Sequence, residues 1–222
     1  IGFDIDPQRC LELAEQGAQT VASAAEVGQQ CRTIFLSLPD STVVAEVIER
    51  IRSKLQSGDI VIDTTTGNPR DTRHICQLLA AGGISYLDAT IVGSSVQVRS
   101  REGLMLIGGD ALAVSNCQPL LDPISDHALH LGPSGAGATM KLVVNLVLGL
   151  NRAVLAEGLS LGEACGLETE QVLAVLRQSP AYASVMDTKG SKMILGDFSP
   201  QARLAQHLKD VQLILQLGNE HS

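Results

Sequence analysis

From Ile1 to about Leu131 short β-branched runs alternate with amphipathic stretches, and no other feature of the chain restricts its fold so tightly. Strands separated by helices pair side by side with their crossovers packed on the sheet faces, so the alternation predicts a doubly wound parallel sheet, an α/β domain. The strand candidates are Ile1–Ile5, Thr33–Leu38, Ile60–Thr65, Ile84–Ala89, Leu104–Gly108 and Ala128–Leu131. Asp6-Pro7 and Asn68-Pro69 each offer an N-cap acceptor followed by a proline at the first helical position, and Ser41 offers a weaker cap. After Gly132-Pro133-Ser134-Gly135-Ala136-Gly137 the texture changes. Met140 to Cys165 is apolar almost all round, which predicts one long buried helix. Helical stretches at Thr169–Arg177 and Ala202–Leu217 follow with no further strand signal, so the expected domains are 1–132, α/β, and 133–222, all-helical.

Composition narrows the function. With 45% apolar and 18% charged residues the chain has the balance of a globular protein. Its longest apolar stretch, Leu142 to Leu150, is interrupted by Asn145 and Gly149, so no transmembrane helix is expected. A net charge of -8 without a basic cluster would repel a phosphate backbone, and two tyrosines and three phenylalanines leave little to stack on bases; no nucleic-acid partner is expected. The cysteines, Cys10, Cys31, Cys76, Cys117 and Cys165, are odd in number and show no CxxC, which fits neither a disulfide framework nor a zinc site. They read as reduced thiols of a cytoplasmic protein with no metal.

Open α/β sheets bind ligands beyond the carboxyl ends of their strands. Three segments stand at such ends: Asp4; Leu36-Ser37-Leu38-Pro39-Asp40; and Asp63-Thr64-Thr65-Thr66-Gly67-Asn68-Pro69. An acid in the place of Asp4 can accept hydrogen bonds from both hydroxyls of a ribose. The strongest constellation is Gly135-Ala136-Gly137-Ala138-Thr139-Met140-Lys141-Leu142-Val143-Val144-Asn145, a tight glycine turn launching a helix. Lys141 and Asn145 are four residues apart and share one helix face. Among Leu, Val and Met, Lys141 is either paired or partly desolvated, and desolvation lowers a lysine pKa towards the range useful for general acid/base chemistry.

Gly135-x-Gly137-x3-Lys141-x3-Asn145 resembles the catalytic signature of the β-hydroxyacid dehydrogenases, the family of 3-hydroxyisobutyrate dehydrogenase and tartronate semialdehyde reductase. Asp63-x-Thr65-Thr66 with Pro69 and Thr72 resembles the family's cofactor loop, Tyr86-Leu87-Asp88-Ala89 the start of its substrate loop, Gly103-Leu104-Met105 with Gly108-Gly109-Asp110 its following hairpin, and Lys209-Asp210 its late Lys-Asp pair. The resemblance covers nearly the whole chain. It implies a Rossmann-type domain followed by an all-helical one, and a hydride transfer between NAD(P) and a small β-hydroxy acid or its semialdehyde. It makes Lys141 the general acid/base and Asn145 an orienter of substrate. It assigns Asp4, Leu38, Pro39, Thr66 and Lys209 to the cofactor, and Gly93 and Ser94 to the substrate. Ile5 and Asp6 follow Asp4 where a basic residue would receive a 2'-phosphate, so NAD is expected rather than NADP.

Two departures stand out. The family's substrate loop reads Asp-Ala-Pro-Val-Ser-Gly-Gly, whereas this chain has Asp88-Ala89-Thr90-Ile91-Val92-Gly93-Ser94, with Val92 in place of a carboxylate-binding hydroxyl that Ser94 or Ser95 could replace. The family's first strand and GxGxxG turn would precede Ile1 and further helices would follow Ser222, so the 222 residues by themselves are expected to bind NAD weakly. A homodimer or homotetramer is expected from the long apolar helix. The alternatives are an imine reductase-like enzyme and a non-catalytic module for binding or oligomerisation.

Overall fold

The computed structural model describes residues 1–199 and 204–221, and the chain divides into two units, Ile1–Lys141 and Leu142–Ser222. The first holds a five-stranded sheet whose spatial order is its sequence order: β1 (Thr33–Leu36), β2 (Ile60–Asp63), β3 (Ser85–Val92), β4 (Leu104–Gly108) and β5 (His127–Gly132). Side chains alternate between sheet faces with period two. Ile34, Leu36, Val61 and Tyr86 accordingly pack with Val44, Ile48 and Ile51 of α3 (Ser41–Ile51) and Ile75 and Leu79 of α4 (Pro69–Ala80). Ile62, Leu87, Ala89, Met105 and Ile107 pack instead with Val114, Cys117 and Leu121 of α6 (Ala111–Leu121). Consecutive residues thus feed two separate cores, and the sheet is covered on both faces.

The sheet is mixed rather than purely parallel. Strands β1, β2 and β3 are parallel, as are β4 and β5, but β3 and β4 are antiparallel. The segment between β3 and β4 carries only the five-residue helix α5 (Ser95–Arg99). A parallel crossover needs a dozen or more residues, so the chain turns back as a hairpin.

The expected strand Ile1–Ile5 is not formed. Gly2 makes one isolated bridge to Thr20, with its N–H donated to the Gln19 carbonyl at 2.9 Å. Asp6 caps α1 (Pro7–Glu15) by accepting the Gln8 N–H at 3.0 Å, and Asp4 Oδ1 accepts the Asp6 N–H at 2.8 Å. That side-chain turn leads the backbone from the bridge into α1. A helix α2 (Ala24–Gln30) follows, capped by Ser23.

Caps fix the other helices too. Asn68 accepts the Arg70 N–H at 2.8 Å, as its sequence pattern predicts. For α3 the cap is Asp40, which accepts the N–H groups of Thr42 and Val43, and Ser41 is the first helical residue. An ionised carboxylate outcompetes a hydroxyl at this position because it also meets the positive end of the helix dipole.

The second unit is helical. It contains most of α7 (Ala136–Ala164), with α8 (Thr169–Gln178), α9 (Val185–Ile194) and α10 (Leu204–Glu220). Residues 202–203 of the stretch expected to open α10 lie outside the described residues. Its core is Leu155, Leu159, Leu173, Val185 and Met186. Helix α9 has a weak sequence signal because Gly190 interrupts it, yet a Cβ there would come within 2.6 Å of Leu173 Cδ1. The glycine is what lets α9 approach α8.

The burial expected all round α7 is confined to a stripe. Leu142, Leu155 and Leu159 are buried, whereas Val147, Leu150, Val154 and Leu161 are each at least half exposed. By length and composition α7 is apolar enough to cross a membrane, a test that core helices of soluble proteins also pass.

Candidate active site

At the carboxyl edge of the parallel strands, three hydrogen bonds made by side chains, beside the backbone bond from Thr64 N–H to the Leu36 carbonyl, tie the β1 loop to the β2 loop. Thr64 Oγ1 donates to the Leu36 carbonyl at 2.8 Å, Leu38 N–H donates to Thr65 Oγ1 at 3.0 Å, and Asn68 N–H donates to Ser41 Oγ at 2.7 Å. They make a fixed platform that carries half-buried Leu38, exposed Pro39 and half-buried Thr66. Gly67 belongs to it through its lack of a side chain, since a Cβ would sit 2.5 Å from Ser41 Oγ.

Strand β3 runs four residues beyond the end of β2, because Asp63 pairs with Asp88 and β3 continues to Val92. This extension grips the first turns of α7. Asp88 Oδ1 accepts the Gly135 N–H at 2.8 Å and Oδ2 accepts the Ala138 N–H at 2.9 Å. Thr90 Oγ1 donates to the Gly137 carbonyl at 3.2 Å, and Lys141 Nζ donates to the Ile91 carbonyl at 2.7 Å. Lys141 is therefore not a side chain that snorkels into solvent; it lies along β3 and is half-buried.

The glycines of the sequence signature follow from this contact. Gly135 adopts φ +90°, in the left-handed region where a Cβ is strained. A Cβ on Gly108 would lie 2.7 Å from both Asp88 carboxylate oxygens.

Burial pushes the Asp88 carboxyl above the usual carboxylate range, against the stabilising N–H groups of Gly135 and Ala138. Its register neighbour Asp63 accepts the Tyr86 hydroxyl at 2.5 Å and the Thr65 N–H at 2.9 Å, and it too is raised by burial. The Tyr86 phenol is raised further by its own burial and by the Asp63 charge. A carboxyl raised on folding holds its proton more tightly in the folded chain. Its contribution to stability is full below the unfolded pKa and is lost as pH rises through the folded one. Replacing Asp63 with Asn should remove that loss. Thermal melts from pH 4 to 8 should show the difference in Tm, Asp63→Asn minus wild type, growing as pH rises; a constant or shrinking difference would contradict the assignment.

Asp4 is exposed beside a concavity of about 570 Å³ lined by Phe3, Ile5, Pro7, Leu11 and Val21 among others. No strand pairing ties it to the β1–β2 platform. Gly93 and Ser94 follow β3 and are exposed. Ser94 has a structural duty that its sequence context did not reveal: its Oγ accepts the Gln97 N–H at 3.3 Å and its N–H donates to Gln97 Oε1 at 2.9 Å, a capping box for α5. The backbone N–H of Ser94 is thereby engaged.

In the second unit, Asn145 donates from Nδ2 to Asp210 Oδ2 at 2.9 Å. Lys209 Nζ stands 3.4 Å from Asp210 Oδ1, close enough for an ion pair but not aligned as a hydrogen bond. Asp210 thus links two residues that the sequence singled out separately. Its partnership with Asn145 across 65 residues has no local sequence signal.

Residues 1–132 match the family model of the NAD binding domain of 6-phosphogluconate dehydrogenase, and residues 135–222 match that of the NAD-binding of NADP-dependent 3-hydroxyisobutyrate dehydrogenase. The chain is 31% identical over 222 residues to 2-(hydroxymethyl)glutarate dehydrogenase of Eubacterium barkeri, spanning 98% of this chain and 74% of that protein. It is 27% identical to 2-hydroxy-3-oxopropionate reductase of Escherichia coli, over 92% of this chain and 71% of the relative. A solved structure of Mycobacterium tuberculosis 3-hydroxyisobutyrate dehydrogenase with L-serine superimposes with a TM-score of 0.93 at 24% identity, covering 99% of this chain and 78% of that one, a likeness of fold.

Proposed function

The chain belongs to the β-hydroxyacid dehydrogenase family of NAD(P)-dependent oxidoreductases acting on CH–OH groups, and from that premise we propose that it interconverts a small β-hydroxy acid and its semialdehyde with Lys141 as the proton-transfer residue. The observation that carries this reading is the hydrogen bond from Lys141 Nζ to the Ile91 carbonyl. A carbonyl can only accept, so it holds the lysine nitrogen through an N–H in either protonation state. The neutral amine keeps its lone pair to take the proton of a substrate hydroxyl, and the ammonium can return one to a carbonyl oxygen. The nicotinamide, when bound, accepts or supplies the hydride. Asn145, held through Asp210, orients substrate in this reading, and the family resemblance assigns Lys209 to the cofactor.

The residues present suit the cofactor. A concavity with apolar walls and one carboxylate at Asp4 has the chemistry to take an adenosine, and its volume lies within the roughly 300–1,000 Å³ of small-molecule sites. Asp4 would accept from ribose hydroxyls, while Leu38, Pro39 and Thr66 would supply the platform beyond it. Asp4 and Asp6 stand together there, and Arg9, the cation whose charge reaches both, is paired with Glu12 at 2.8 Å, so a 2'-phosphate would meet two carboxylates. NAD is therefore the proposed cofactor. Its kcat/KM should exceed that of NADP by about tenfold or more, the ratio that roughly 1.4 kcal/mol of added repulsion produces. Preference for NADP would remove Asp4 from the ribose.

The setting we propose is cytoplasmic, in keeping with five free cysteines, and the assembly a homodimer or homotetramer. The test of function is a substrate screen with the intact protein. It would combine NAD and NADP with 3-hydroxyisobutyrate, 2-(hydroxymethyl)glutarate and 2-hydroxy-3-oxopropionate, following absorbance of the reduced nicotinamide. Turnover of at least one acid is expected, and no turnover of any β-hydroxy acid or semialdehyde would overturn the proposal.

A further inference from the structure

We propose that Asp88 and Thr90 of β3 are the positioning residues of Lys141, setting the rotation and height of the first turns of α7 so that the lysine nitrogen falls on the Ile91 carbonyl. The inference rests on the reading of Lys141 as the proton-transfer residue.

Two opposed contacts define the grip. The Asp88 carboxylate pulls on the N–H groups of Gly135 and Ala138, and the Thr90 hydroxyl donates to the carbonyl of Gly137. A helix held by N–H groups alone can still turn about its axis; anchoring a carbonyl as well removes that freedom. Lys141 lies three residues beyond Ala138, a rise of about 4.5 Å at 1.5 Å per residue. A shift of the anchored turn therefore reaches the lysine with little room to dissipate.

The cost of the arrangement argues for a purpose beyond packing. Asp88 is 2% exposed, and among the described residues no Lys, Arg or His pairs with it. Its negative charge is met by backbone N–H dipoles at a helix start and by the neighbouring Ser134 hydroxyl, neither of which carries a full charge. A neutral cap would satisfy the same N–H groups without burying a charge. A carboxylate supplies two strong acceptors in one rigid plane, directed at two N–H groups three residues apart. Gly108 and Gly137 clear the space on either side, since a Cβ on the first would meet both carboxylate oxygens and one on the second would lie 2.8 Å from the Asp88 carbonyl oxygen. Strand β3 therefore carries the anchor at 88, the counter-anchor at 90 and the lysine's acceptor at 91.

The experiment compares intact wild-type protein with Asp88→Asn, Thr90→Val and Lys141→Ala, using NAD with the acid that turns over best. Asp88→Asn keeps the side-chain shape but faces one of the two N–H groups with an NH₂. Its kcat, per folded molecule, should fall about a hundredfold, the loss that a displacement of about 1 Å can cause, with KM for acid and NAD within about threefold of wild type. Thr90→Val preserves shape and removes only the bond to Gly137, and kcat should fall about tenfold with KM again held. If Asp88→Asn does not fold, Thr90→Val decides the matter. A folded variant that melts earlier but keeps wild-type kcat, or one in which KM rises while kcat is held, overturns the positioning role. Lys141→Ala separates the two claims: if it turns over normally the proton-transfer reading fails, whereas if it is inactive and both β3 variants keep wild-type kcat, only the positioning role fails.

Discussion

Replacing Lys141 with Ala is expected to abolish turnover while leaving NAD affinity nearly unchanged. A positioned general acid/base contributes typically 10²- to 10⁴-fold, and a lysine that also stabilises the developing alkoxide belongs at the upper end, so kcat should fall by about 10⁴. Lys141→Arg should fail almost as badly. The guanidinium keeps the charge but does not release a proton near neutral pH, and its planar fork differs in shape from the ammonium that donates to the Ile91 carbonyl. Steady-state kinetics of both variants, with NAD binding followed by fluorescence, measures the two effects separately. Near-wild-type kcat in Lys141→Ala would leave the non-catalytic alternative standing.

The second large effect is expected at Gly137. A Cβ built there would penetrate the Leu106 carbonyl oxygen and lie 2.8 Å from that of Asp88, so the obstacles are backbone atoms of two neighbouring strands and not flexible side-chain ends. Overpacking typically costs 1–3 kcal/mol, and a site walled by backbone belongs at the top of that range, so Gly137→Ala should destabilise the protein by about 3 kcal/mol. For a chain of this size that is roughly 6–12 °C in Tm. Activity should fall further than stability explains, because α7 must move away from β3 to admit the methyl group. Gly218→Ala is the control. A Cβ on Gly218 in α10 meets nothing within 4 Å, so Tm should hold or rise. Equal melting of wild type and Gly137→Ala would show that α7 approaches the sheet less closely than described.

The α/β order, all five strands of the sheet and the helix caps at Asp6 and Asn68 were legible because each is written in a few neighbouring residues: a β-branched run, or an acceptor followed by proline. The segment expected as a strand at Ile1–Ile5 makes only the single bridge from Gly2 to Thr20. The cap of α3 was misjudged by one residue, because Asp40 and Ser41 both suit the position and only the carboxylate adds charge. Lys141 and Asn145 were visible as a helix-face pair. Their supports were not, because Asp88 lies 47 residues from Gly135 and Asp210 lies 65 from Asn145, and no periodicity spans such distances. Sequence marks the candidate side chains; the groups they bond to come from strands and helices that meet only in three dimensions. Ser94 illustrates the converse, a residue singled out for substrate whose hydroxyl and N–H already serve a short helix.

Strand order also bears on how the chain acquires its shape. Because β1 to β5 lie side by side in sequence order, each of β2 to β5 pairs with the strand made just before it. The bonds from Asp88 to Gly135 and Ala138 must wait until β4, α6 and β5 have all been laid down between them. The anchoring of α7 on β3 is thus among the last contacts in the first unit to close. A partly folded chain can own a complete β1–β2–β3 ladder while the start of α7 is still unanchored.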